Sequence, residues 1–102
     1  MTQLTIALFT GDPAGIGPEL VQKLLDHSSA QQATKIILIG QKGSIQTPAN
    51  VSWHDWSGLN APPFPKATYD ANNGAYMIAA LAEGVSLVRD GKAHAFCFAP
   101  LN

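Results

Sequence analysis

Residues 4–20 read LTIALFTGDPAGIGPEL, which is an apolar run, a glycine-rich loop and the start of an amphipathic segment in immediate succession. The run at residues 4–10 mixes β-branched, aliphatic and aromatic side chains and stops at Gly11, the pattern of a strand buried on both faces. Pro18 suits a first helical position, where its missing N–H is no loss, and Glu19 suits the positive end of a helix dipole. Leu20, Val21, Leu24 and Leu25 recur at i, i+1, i+4 and i+5, so a helix running to about Asp26 or His27 turns one apolar face to a sheet. Residues 28–34 are polar and loop-like. KIILI at residues 35–39 is a second buried-strand candidate, closed by Gly40 as the first is closed by Gly11. Strand, helix and strand make a βαβ unit. Such crossovers are nearly always right-handed, so the two strands are expected side by side and parallel.

From residue 41 to residue 71 the pattern gives way to turn chemistry, with Gly43, Pro48, Gly58 and the run APPFP. A loop of about thirty residues is uncommon in a compact domain, which points to a short hidden strand around residues 51–53, where VSWHDW alternates as an edge strand does. Asn72 or Asn73 is a candidate N-cap for a helix continuing to Arg89, and Asp90-Gly91 is its stop signal. Met77, Leu81, Val85 and Val88 are its expected apolar stripe, and Ala79, Ala80, Ala82 and Gly84 permit a close approach to another element. AHAFCFA at residues 93–99 reads as a third buried strand, leading into APLN. If the strands share one parallel sheet, TGDPAGIG and APLN lie on the same rim, at the carboxyl ends where ligands collect in open α/β sheets.

The 102 residues are 46% hydrophobic and 13% charged, the balance of a globular chain with a modest core. A formal charge of −1 and six scattered lysines and arginines leave no basic footprint for nucleic acid. The amino terminus lacks the basic region and cleavage site of a signal peptide, and no apolar run approaches the roughly 18 residues of a membrane span, so a cytoplasmic location is expected. Cys97 is the single cysteine. In its apolar run it is expected to be a buried small hydrophobe, where burial argues against a nucleophilic role.

The glycine loop fails the spacing of two familiar phosphate binders. It has no G-x-x-x-x-G-K followed by a hydroxyl residue, and Gly11, Gly15 and Gly17 are spaced G-x-x-x-G-x-G rather than G-x-G-x-x-G. Pro18 and Glu19 further weaken an anion site at that helix start. Two readings remain. The glycines make a tight strand-to-helix turn, with Asp12 bonding its own backbone, or they give a flat ligand close approach, with Ile16 as an apolar contact between Gly15 and Gly17.

GDPAGIGPE at residues 11–19, ANNGAY at residues 71–76 and APLN at residues 99–102, in that order, resemble the 4-hydroxythreonine-4-phosphate dehydrogenase family of vitamin B6 biosynthesis. That family includes relatives acting on erythronate or threonate 4-phosphate. The resemblance implies an α/β parallel-sheet fold similar to that of isocitrate and isopropylmalate dehydrogenases, whose opening reads GDGIGPE. It implies NAD and a divalent metal as cofactors, with the metal as Lewis acid in oxidation of a secondary alcohol and decarboxylation of the β-keto acid. By the same resemblance Gly15, Ile16 and Gly17 are cofactor-binding, Ile16 lying against the adenosine, while Asp12 and Glu19 are structural.

Family members run to about three times this length. Their three metal-binding histidines and their substrate-phosphate contacts lie beyond the part that matches. His27, His54 and His94 do not correspond to those ligands, and no residue here is assigned a catalytic or metal role. Phe98 stands where a threonine is common, and Leu8-Phe9 where threonine-methionine is common. Residues 1–102 are therefore expected to be the N-terminal α/β segment of a larger dehydrogenase whose C-terminal half is absent, inactive alone and homodimeric when full length. Its expected partner is a phosphorylated small-molecule substrate, with neither nucleic acid nor membrane. The alternatives are a stand-alone nucleotide-binding or interaction module and a nonfunctional remnant with an exposed strand edge.

Overall fold

The structure, a computed structural model, describes residues 4–11, 15–28, 34–43, 45–60 and 71–99. In chain order these form β1 (Leu4–Phe9), α1 (Gly17–Ser28), β2 (Thr34–Ile39), β3 (Val51–Trp53), α2 (Ala71–Arg89) and β4 (Ala95–Phe98). The four strands make one sheet in the order β3-β2-β1-β4, and every neighbouring pair is parallel. Leu4 to Phe9 pair in register with Thr34 to Ile39, and Ile6 to Phe9 pair with Ala95 to Phe98. The expected βαβ unit and the short edge strand at residues 51–53 are both present.

Alternation along β1 divides the core in two. Ala7 and Phe9 join Ile39, Tyr76, Ala80, Leu87 and Ala93 on the α2 face. Leu8 joins Val21, Leu25, Leu38, Ile45 and Val51 on the α1 face. The helices lie on opposite faces because their crossovers run in opposite directions along the sheet, from β1 to β2 and from β3 back to β4, and a right-handed crossover then demands opposite sides.

The helix ends follow backbone chemistry. The first intrahelical bond of α1 runs from the Leu20 N–H to the Ile16 carbonyl, 3.1 Å. The helix therefore starts at Gly17, and Pro18 is its second residue rather than its first. Helix α2 begins at Ala71, so Asn72 and Asn73 lie inside it rather than capping it. At its other end the Gly91 N–H donates to the Val88 carbonyl and the Lys92 N–H to the Leu87 carbonyl. Gly91 has a φ of 76°, so the end is a Schellman motif that needs glycine.

Three expectations about burial are corrected. The α2 face turned to the sheet carries Tyr76, Ala80, Gly84 and Leu87, while Val85 and Val88 are exposed. The small residues set the helix close to the strands, and the larger β-branched ones flank the contact. On α1, Val21 and Leu25 are buried but Leu20 and Leu24 are exposed. Strand β4 is an edge strand with no helix over its α1 side, so Ala95 and Cys97 are exposed rather than core, and Phe98, on the α2 face at the carboxyl end of the strand, is exposed as well.

Among the described residues no helix crosses from β2 to β3. Residues 40–43 and 45–50 belong to the link, with Ile45 buried in the α1-side cluster. The Gln22 side chain holds this segment against α1 as a backbone partner would: its Oε1 accepts from the Gln46 N–H at 2.7 Å, and its Nε2 donates to the Gln46 carbonyl at 3.1 Å.

Candidate functional site

The chain leaves β1 toward one side of the sheet through α1, and β4 lies on the other side of β1. The carboxyl ends of β1 and β4 therefore flank the topological switch point, the place where an open α/β sheet forms a ligand crevice.

At this rim the backbone is tightly packed. Thr10 is buried and its N–H donates to the Ile39 carbonyl at 3.1 Å. Gly11 has a φ of 87°, a conformation that favours glycine. A methyl group on Gly17 would overlap the Thr10 carbonyl oxygen, and one on Gly40 would come to 2.6 Å from the Thr10 hydroxyl. The start of α1 and the exit of β2 are thus both fitted around Thr10. On the other side the Ala99 N–H donates to the Phe9 carbonyl at 3.0 Å, which carries the β4 pairing one residue past the strand.

The three expected cofactor contacts are adjacent but differently placed. Gly15 is half-buried and Gly17 is buried, whereas Ile16 is 60% exposed. The missing side chain of Gly17 is used by the chain itself, to bring α1 against Thr10, so its clearance is structural. Ile16 is the member of the trio that presents an apolar side chain to solvent. Asp12 and the last three residues of APLN lie outside the described residues.

Phe98 ends β4 on this rim and is 55% exposed, although its register partner Phe9 is fully buried. Its ring lies 5.8 Å from that of Phe96 at 45°. Phe96 in turn sits over Gly84, where any side chain would overlap its ring. The close approach expected at Gly84 is thus present, whereas spacing could not have marked Thr10 or Gly40 as positioning residues, because their roles arise from approaches between separate elements.

Among the described residues no three His, Cys, Asp or Glu side chains converge, so these residues do not form a metal cage. Two histidines have structural partners instead. His54 Nε2 lies 2.8 Å from Glu83 Oε1, tying the end of β3 to α2. His94 Nδ1 accepts from the Thr5 N–H at 2.9 Å, and the His94 N–H donates to the Thr5 carbonyl at 2.8 Å. The side chain of His27 lies outside the described residues. Beneath the rim, Tyr76 packs between Phe9 and Trp56, with ring centroids 6.2 and 5.2 Å away, and burial pushes its phenol above the usual range. The Trp56 indole N–H donates to the Gly40 carbonyl at 3.2 Å. Among the described residues no helix is long and apolar enough to cross a membrane.

Comparison with known proteins gives a consistent relationship. The chain is 32% identical to the 4-hydroxythreonine-4-phosphate dehydrogenase of Burkholderia vietnamiensis over 96% of its own length and 34% of the relative's. It is 31% identical to a Pasteurella multocida protein provisionally given the same name, over all of this chain and 38% of that protein. It is also 29% identical to the D-threonate 4-phosphate dehydrogenase of Cupriavidus necator, over 95% of this chain and 36% of the relative. The chain thus spans little more than a third of the length of the curated relatives it matches. No protein-family model matches it. In structure it superposes on a crystal structure of a 4-hydroxythreonine-4-phosphate dehydrogenase from Burkholderia phymatum with a TM-score of 0.81, at 24% identity, over the whole of this chain and 38% of that one. The four-stranded parallel sheet with its two helices is therefore the fold of the corresponding part of these dehydrogenases.

Proposed function

We propose, taking the chain as a relative of the amino-terminal portion of the 4-hydroxythreonine-4-phosphate dehydrogenases, that it forms the dinucleotide-facing rim of an NAD-dependent dehydrogenase. The reaction class is oxidation of a secondary alcohol in a phosphorylated four-carbon hydroxy acid, followed by decarboxylation. A divalent metal supplies Lewis-acid chemistry in that reaction, and residues beyond those described here hold it. What this chain supplies is binding surface. Ile16 presents an apolar shelf to the adenosine, Gly15 leaves the approach clear, and Gly17 holds the shelf against the end of β1.

The observation that carries this reading is the exposure of Ile16 beside Gly17, Thr10 and Gly40, which are fitted tightly against one another. An apolar side chain of that size next to a switch point is placed for a flat ligand. The test is calorimetric titration of the 102-residue chain with AMP and with NAD. Both should bind with micromolar to millimolar affinity, Ile16→Asp should weaken both by about tenfold or more, and the chain alone should show no turnover. Equal affinity in the wild-type and Ile16→Asp chains would remove the shelf from the site.

A further inference from the structure

Among the described residues Phe98 is an exposed aromatic group on the same rim, and its surroundings are organised rather than incidental. The backbone of β4 is held there by pairing to β1 and by the Ala99 to Phe9 bond. Its ring is supported from below by Phe96, which α2 admits only because residue 84 is glycine. Held in this way, more than half of Phe98 still faces solvent at the carboxyl end of a strand that borders the switch point.

A dinucleotide binds across such a crevice, with its two ring systems on either side of it. Ile16 leads into the helix on one face of the sheet, and Phe98 shares the opposite face with Phe9 and Phe96. The two side chains also differ in chemistry. Ile16 offers dispersion contact to any flat ring. Phe98 offers a π-face whose quadrupole is negative at its centre and attracts a cationic ring. The oxidised nicotinamide ring is a pyridinium cation, and the reduced ring is a neutral dihydropyridine.

We propose that Phe98 is the platform for the oxidised nicotinamide ring, and that it makes this rim prefer the oxidised over the reduced cofactor. The inference rests on the reading of the rim as a dinucleotide site, and it adds a residue and a redox preference that Ile16 does not supply.

The test is a titration of the 102-residue chain, labelled with 13C in its phenylalanine rings and isoleucine methyl groups, followed by nuclear magnetic resonance. The probes are oxidised nicotinamide mononucleotide, its reduced form, and AMP. The expected result is movement of the Phe98 ring signals with the oxidised mononucleotide and of the Ile16 methyl signal with AMP. Phe98→Leu, which keeps the apolar bulk without the π-face, should weaken the oxidised probe by roughly three- to tenfold and leave the reduced probe unchanged. Phe98→Trp should hold or strengthen the oxidised probe, which guards against a loss that reflects only a disturbed β4. If Ile16 responds to AMP while Phe98 is unmoved, or if Phe98→Leu binds both redox forms as the wild type does, the platform is overturned and the adenosine shelf stands. If neither residue responds at millimolar probe, both readings fall.

Discussion

The two faces of the sheet are covered unequally. Helix α2 has 19 residues, about 28 Å, and packs along the strands through a cluster that includes Phe9, Tyr76, Trp56 and Phe96. Helix α1 has 12 residues, about 18 Å, and contributes Val21 and Leu25 over β1 and β2 while Leu20, Leu24 and the β4 thiol remain in contact with solvent. An apolar groove of about 220 Å³ lies along this poorly covered side, lined by Ile6, Leu8, Leu24, Ile36 and Cys97 among others. Stability and availability are therefore divided between the faces. The α2 side holds the sheet together, and the α1 side leaves surface open.

The sharpest way to break this contrast is a pair of truncations. Phe9→Ala on the α2 face should cost about 3–5 kcal/mol of unfolding free energy in urea, and in a chain this small that is enough to leave much of it unfolded. Leu24→Ala on the α1 face, where the side chain is 51% exposed, should cost less than about 0.5 kcal/mol. Similar costs for the two would dissolve the asymmetry. Next in size is the join between β1 and β4. His94→Leu removes the acceptor for the Thr5 N–H and should cost about 1 kcal/mol, whereas His94→Asn, which can present an acceptor in the same place, should recover most of it. The smallest effect belongs to Cys97. Its thiol should react with an aromatic disulfide in native buffer without prior unfolding, and Cys97→Ser should change stability by under about 0.5 kcal/mol. A thiol that reacts only after denaturant is added would contradict the open α1 side.

The same contrast explains what could be read from the residues beforehand. β1, β2, the short β3 and the span of α2 follow from apolar runs and their punctuation, because those signals are local. The strand at residues 95–98 was also legible as a strand, but its exposure was not. AHAFCFA has the composition of a buried strand, and whether it becomes one depends on what lies over it. The rotation of α2 was legible only in part: Ala80 and Gly84 make the close approach their small size permits and Met77 and Leu81 pack against the core, but Val85 and Val88 of the expected apolar stripe fall on the exposed flank. At the rim, the glycine spacing departs from the phosphate-binding patterns and singles out Ile16. It could not show that Gly17 and Gly40 serve Thr10, or that Gln22, His54 and His94 are occupied by partners far along the chain. Those pairings are properties of the folded geometry alone.

The sheet order also sets a timetable. β1 is the first strand in the sequence and lies in the interior of the sheet, between β2 and β4. One of its neighbours follows after a single helix, but the other is held by contacts such as Thr5 to His94, residues 89 apart. Closing so long a loop is entropically costly and slows folding in proportion to the sequence separation it spans. During synthesis β1 would keep one bare edge until nearly all of these residues had emerged, and that edge would be open to pairing with other nascent chains. The last of the four strands therefore decides when the first one is finished.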